Sequence, residues 1–140
     1  MKTRNTIQRT LVFESAVKLG NHPTADEIYI RTQENCPSIS KGTVYRNINL
    51  LVQEGKLKRV EVPNAPDRID YNTSDHCHMI CDCCGRCFDI GTPGLKAFAD
   101  AVITSENFTV RCFEVLFRGT CYGCTASARP DDEADQARQA

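Results

Sequence analysis

Apolar residues recur at helical spacing from Arg4 to Leu19, where Ile7, Leu11, Val12, Ala16 and Leu19 share one face and Gly20-Asn21 supplies a stop. A T-x-x-E run, Thr24 to Glu27, opens a second helix carrying Ile28 and Tyr29, and Cys36-Pro37 ends it. Ser40 caps a third helix running to about Glu54, with Val44, Ile48 and Leu51 on one face and Gly55 behind it. The period then changes. Leu57 to Val62 alternates apolar with charged residues as a half-buried strand does, Pro63 to Asp67 makes a turn, and Arg68 to Tyr71 forms a second strand. Three short helices followed by a two-stranded hairpin is the order of a winged helix-turn-helix, whose third helix enters the major groove. The same pattern fits a small α+β domain with a solvated basic face.

Residues 72–124 read differently. Short strands at Met79-Ile80, Phe88 to Ile90 and Phe108 to Arg118 flank one helix from about Leu95 to Ile103. The last strand is apolar at most positions (Phe108, Val110, Phe113, Val115, Leu116, Phe117). Such a strand is expected to be buried on both faces, which in so small a unit implies a dimer interface. Residues 126–140 are polar, rich in Asp and Ala and without periodicity, so a disordered tail is expected there. The expected division is 1–71, 72–125 and 126–140.

Composition narrows the class. A chain of 140 residues holds one domain or two small ones, each in the range where a metal or a partner chain supplements a marginal core. No run of 18 apolar residues occurs, so no membrane span is expected. Glu14 and Lys18 interrupt the apolar run near the N-terminus, against a signal peptide. Residues 1–62 carry 10 Lys and Arg against 6 Asp and Glu, whereas residues 63–140 carry 7 against 12. A basic front on an acidic back suits a nucleic-acid-binding module joined to something else. Lys41, Arg46, Lys56, Lys58 and Arg59 are the expected phosphate contacts, and Thr43, Tyr45 and Arg46 on the third helix the candidates for the groove.

The nine cysteines are odd in number and concentrated after residue 77, which favours metal ligation in a reducing cytoplasm over a disulfide framework. Cys81-Asp-Cys-Cys84-Gly85 and Cys121-Tyr-Gly-Cys124 supply two CxxC pairs. A two-residue gap in a tight knuckle turns both sulfurs to one side, and two knuckles complete a tetrahedral S4 site for structural zinc. An iron–sulfur cluster or a redox dithiol remains the alternative. Cys84-Gly-Arg-Cys87 is also a CxxC; Cys81 with Cys84 is preferred because Gly85 follows directly, as a knuckle turn wants. His76 and His78 stand two apart, so on a strand both imidazoles face one way while Cys77 faces the other. Asp70, Asp75 and Asp89 lie nearby in sequence and could complete a mixed N/O site, which suits divalent iron or manganese.

Five blocks in order resemble the ferric uptake regulator (Fur) family. They are His22-Pro-Thr-Ala-Asp-Glu-Ile-Tyr29, Gly42-Thr-Val-Tyr-Arg46, Arg68-Ile-Asp-Tyr71, Ser74-Asp-His-Cys-His-Met-Ile-Cys-Asp-Cys-Cys-Gly85 and Cys121-Tyr-Gly-Cys124, within residues 7–124. The resemblance implies a cytoplasmic homodimer that represses transcription at operator DNA, with an N-terminal winged helix and a small C-terminal α/β dimerisation domain. It implies a structural zinc on Cys81, Cys84, Cys121 and Cys124, and a regulatory Fe2+ or Mn2+ on His22, Asp70, His76, His78 and Asp89. Iron-uptake members commonly place Glu where Asp70 and Asp89 stand. Two Asp are similar to the peroxide-sensing PerR branch, in which bound ferrous iron reacts with peroxide and a ligating histidine is oxidised, here His22 or His76. An iron- or manganese-uptake regulator and a zinc or nickel sensor are the alternatives inside the family.

Two departures bear on chemistry. The histidines that many members carry before the second CxxC are replaced by Cys112 and Phe113, so no second regulatory site of the usual kind is expected. Cys36, Cys77, Cys83, Cys87 and Cys112 have no role in the family pattern; buried free thiols are the default, with a redox response at Cys77 or Cys83 as the sharper alternative. An enzyme is not expected, because no activated nucleophile, oxyanion motif or H-E-x-x-H helix occurs. A zinc-knuckle redox protein or adaptor would require the basic N-terminal half to be incidental.

Overall fold

The computed structural model describes residues 4–91, 93–106 and 113–127, which fall into two compact units, Met1–Asp75 and His76–Ala140. The first contains α1 (Arg4–Leu19), α2 (Ala25–Gln33), α3 (Lys41–Gln53), β1 (Lys58–Val60) and β2 (Arg68–Asp70). The expected helices match these bounds closely because their ends are written in local chemistry. The Thr24 side chain accepts from the Glu27 amide while Glu27 reaches back to the Thr24 amide, closing the capping box of α2. The Ser40 hydroxyl accepts from the Thr43 amide at the start of α3.

Val12 and Ala16 of α1, Ile28 of α2, and Val44, Ile48 and Leu51 of α3 form the core of this unit, closed by Ile39, Leu57 and Ile69. One polar pair is buried within it. Ser15 donates to the Leu11 carbonyl, and the Thr32 hydroxyl shares its single proton between Ser15 Oγ and the Ile28 carbonyl, so both hydroxyls find partners. β1 and β2 pair antiparallel, with Lys58 opposite Asp70 and Arg59 opposite Ile69. The strands are shorter than their alternating patterns: Leu57 and Val62 are buried but lie outside the ladder. Together the three helices and the hairpin make the winged-helix order.

The second unit holds β3 (Cys77–Cys81), β4 (Cys87–Ile90), α4 (Leu95–Glu106), β5 (Leu116–Gly119) and α5 (Tyr122–Ser127). Its sheet has the order β4-β3-β5, antiparallel between β3 and β4 and parallel between β3 and β5. Mixed helices and strands give the expected α+β class. Three features differ from the sequence pattern. The strand expected over Phe108 to Arg118 is present only from Leu116; Phe113 to Val115 carry no regular structure, and Phe108, Val110 and Cys112 lie outside the described residues. Leu116 to Gly119 is also not buried on both faces within one chain: Phe117 is 44% exposed. Finally, Ala126 and Ser127, assigned to the tail, end α5, a one-and-a-half-turn helix with no amphipathic signal to betray it. The rest of the tail lies outside the described residues.

Candidate metal centres and nucleic-acid face

The thiol cluster sits where β3 ends. After Cys81 the chain reverses through Gly85, whose φ of 70° suits glycine and whose amide donates to the Cys81 carbonyl at 2.8 Å. This knuckle turns Cys84 back over Cys81. The second knuckle precedes α5: the amides of Cys124 and Thr125 donate to the Cys121 carbonyl at 3.0 and 2.9 Å. Asp82 donates its amide to Gly119, so the end of β5 delivers Cys121 beside the first knuckle. All four sulfurs, Cys81, Cys84, Cys121 and Cys124, lie within 4.8 Å of one another.

Their surroundings favour thiolates. The Cys121 and Cys84 amides point at the Cys81 sulfur and pull its pKa down to about 6. Arg86 Nε lies 3.4 Å from Cys84 Sγ and lowers that thiol too. Cys124 moves up, because hydrogen bonding with Cys83 and then Cys121 favours its thiol form. Four sulfurs on two knuckles fit a structural zinc. Cys87 is drawn away into β4 opposite Ile80, which separates it from the competing CxxC reading. Cys77 and Cys87 are buried, Cys36 is half-buried and Cys83 is exposed. The sequence pattern overlooked Arg86, since a basic residue inside a knuckle carries no spacing signal.

The histidines and carboxylates form two groups. In the first unit His22 follows Gly20 and Asn21, and all three have positive φ (55°, 48° and 54°). For histidine and asparagine this left-handed conformation is uncommon and costs of order 1–3 kcal/mol per residue. It is held because the next residues are tied to the hairpin: Pro23 accepts from the Ile69 amide at 2.8 Å and Thr24 bridges to Arg68. The result is a buried imidazole with Nε2 3.5 Å from Asp70 Oδ2. The other oxygen of Asp70 accepts from the Asn72 amide, which fixes the carboxylate.

In the second unit β3 and β4 align His78 directly opposite Asp89. His76, two residues earlier, turns the same way. Its Nε2 lies 2.9 Å from His78 Nε2 and 3.1 Å from Asp89 Oδ1, and His78 Nε2 is 3.5 Å from the same oxygen. Donors about 2.1 Å from one ion stand about 3.0 Å apart at a right angle and about 3.4 Å apart in a tetrahedron. The imidazole pair has the first spacing. Asp75, the remaining nearby carboxylate, is exposed.

On α3, Arg46 is exposed while Asn47, its neighbour, is buried and donates to the Thr43 carbonyl. Thr43 Oγ1 is engaged with the capping Ser40 at 2.8 Å. Lys41 and Tyr45 both meet Asp26 of α2. Arg59 links the hairpin to α3, donating to Asn49 at 2.7 Å and to Asp67 at 3.3 Å; Lys58 is half-buried and Lys56 pairs with Glu54 at 3.0 Å. Among the described residues, no helix is long and apolar enough to cross a membrane.

The sequence profile of the ferric uptake regulator family matches residues 1–117. The chain belongs to the ferric uptake regulator family. Among its curated relatives, the peroxide operon regulator of Bacillus subtilis is 34% identical over 87% of this chain and 84% of its own length. The peroxide-responsive repressor PerR of Staphylococcus aureus is 31% identical over 86% of this chain and 82% of its own. Of solved structures, the Campylobacter jejuni peroxide stress regulator aligns with a TM-score of 0.74 at 29% identity, over 86% of this chain and 91% of that one. The ferric uptake regulator of Helicobacter pylori aligns at 0.77 with 22% identity, over 92% and 85% respectively, a likeness of fold. As a member of this family the chain is a metal-responsive regulator, built on the Fur fold with relatives named for peroxide response.

Proposed function

We propose that this protein is a homodimeric transcriptional repressor that senses peroxide through metal-catalysed oxidation of a histidine ligand. The observation that carries the reading is the donor set: three imidazoles and two aspartates, in two groups each held by strand register or strained backbone. His22 and Asp70 from the first unit and His76, His78 and Asp89 from the second would take one Fe2+ or Mn2+, since nitrogen and carboxylate donors suit these ions. Binding would then require one particular arrangement of the two units, which couples the ion to the geometry that meets operator DNA. Cys81, Cys84, Cys121 and Cys124 would hold a structural zinc with no open position for catalysis.

Ferrous iron in the site would activate peroxide. The chain's own residues determine the rest. His22 and His76 would offer ring carbons next to their donor nitrogens: one ring C–H would become C–OH, the ring giving up the two electrons that peroxide takes, while the second oxygen of peroxide leaves as water and the iron is not consumed. Oxygenation changes the donor nitrogen's electronics, so the ligand set loses a member and operator-competent geometry with it. Two Asp rather than Glu at 70 and 89, and relatives named for peroxide response, favour this branch over uptake regulation. The DNA face would use Lys41, Thr43, Tyr45 and Arg46 of α3 with Lys58 and Arg59 of the wing. A cytoplasmic placement would keep the thiols of both knuckles reduced for metal binding.

The test loads the protein with Fe2+ or Mn2+, adds peroxide, and measures both DNA binding and the masses of peptides containing His22 and His76. The DNA is a duplex selected by the protein from a randomised library. Gain of one oxygen atom confined to the iron form, with loss of binding, supports the reading. Unchanged mass, with binding that follows metal concentration alone, would instead establish a metal-uptake regulator.

A further inference from the structure

Asp26 occupies the second position of α2, yet the cap of that helix is complete without it, since Thr24 and Glu27 serve one another. Its carboxylate reaches α3 instead. The Tyr45 hydroxyl donates to Oδ1 at 2.6 Å, and Lys41 Nζ lies 2.8 Å from the same oxygen. The Lys41 ammonium also stands 5.8 Å over the Tyr45 ring. All three side chains are open to solvent: Asp26 and Lys41 are more than half exposed and Tyr45 39%. An exposed pair of this kind contributes little to folding. It does occupy the first turns of the third helix, the part of a recognition helix that meets base edges.

We infer that Asp26 is a specificity-setting positioning residue of the DNA face, holding the Tyr45 side chain in one attitude and offsetting the charge of Lys41. The inference rests on the DNA-binding reading above. A carboxylate beside the groove repels the phosphates of any duplex, and Lys41 must exchange it for a phosphate before gaining anything. Indiscriminate binding is therefore weakened. The Tyr45 hydroxyl has one proton, and its commitment to Asp26 fixes the ring before DNA arrives, so a matching site need not bear the cost of ordering it. The two effects act in the same direction on the ratio of matched to unmatched affinity.

The test uses manganese-loaded full-length protein, a duplex selected by the wild type from a randomised library, and a scrambled duplex of equal composition. Asp26→Ala should raise affinity for the scrambled duplex several-fold and steepen its log–log salt dependence by about 0.9, one phosphate contact. It should also narrow the selected-to-scrambled ratio at least threefold. Asp26→Asn removes the charge and keeps an oxygen acceptor, so scrambled affinity rises while most of the ratio stays; it carries the test if the alanine variant does not fold. An unchanged ratio and salt slope in a folded variant, with a wild type that discriminates, overturns the inference alone. A wild type that selects no sequence overturns the DNA-binding reading and the inference with it.

Discussion

Cys84 and Cys121, 37 positions apart in the chain, bring their sulfurs to 3.8 Å. Four sulfurs about 2.3 Å from a common tetrahedral centre stand about 3.8 Å from one another. The spacing is therefore that of two ligands of one ion, set by a glycine knuckle on one side and by the junction of β5 with α5 on the other.

Replacing either partner should cost the metal and the unit. Cys84→Ser and Cys121→Ser are expected to purify without zinc and to lose cooperative melting of the second unit. Structural zinc is worth on the order of 10–16 kcal/mol in small domains, more than such a unit holds in reserve. Cys83→Ser and Cys87→Ser should keep one zinc per chain by elemental analysis. Loss of zinc in Cys87→Ser would move the knuckle to the other CxxC.

The imidazole pair should govern the exchangeable ion. His78→Ala is expected to weaken Mn2+ binding more than tenfold, since even residues that merely support metal ligands cost about 10–100-fold. Zinc content should not change. Isothermal titration calorimetry on the zinc-loaded protein measures the first and elemental analysis the second; equal loss of both metals would show general unfolding.

The Asp26 cluster sets a pH signature. Hydrogen bonding from Lys41, then from Tyr45, holds the Asp26 carboxyl below its ordinary 3.8, and the same contact holds the Tyr45 phenol above 10.0. A depressed carboxyl contributes stability that is present above pH 3.8 and is lost as the pH falls through its folded value. A raised phenol contributes stability that is present below pH 10.0 and is lost as the pH rises through its folded value. Carbon-13 NMR titration should find both displacements in the wild type. Asp26→Ala should return Tyr45 to about 10, and a Tyr45 midpoint unmoved by that change would dissolve the link.

Within the first unit, the buried core offers larger destabilisations than the helix caps. Ile48 is 1% exposed, and Ile48→Ala should cost about 2–5 kcal/mol by urea unfolding. Thr24→Ala should cost about 1 kcal/mol, for the loss of one side of the capping box. A larger effect at Thr24 than at Ile48 would mean that the turn holding His22, and not packing, limits stability.

Local chemistry alone fixed a good deal here. Helix ends at Thr24, Ser40 and Gly55 are readable because the residues that satisfy orphan amides, or adopt a positive φ, are few and sit at fixed offsets. The paired knuckles and the alternation of His76 with His78 are readable because spacing dictates direction over two or three residues. α5 was not, being too short to show a period, and neither was the start of β5, where an apolar run outlasts the ladder.

What tertiary structure decided is which of these local units meet. Cys84 finds Cys121 because β5 runs parallel beside β3 and ends at the same height. Cys87 is excluded because β4 places it opposite Ile80. His22 faces Asp70 because Pro23 and Thr24 are bound to β2, and that tie keeps two non-glycine residues in a left-handed turn. Asp26, legible only as part of a cap sequence, gained its contacts with Lys41 and Tyr45 from the packing of α2 against α3. Sequence spacing specifies direction within a turn or a strand. Separation along the chain carries no such information, so partners far apart are chosen by the register and packing that bring them together.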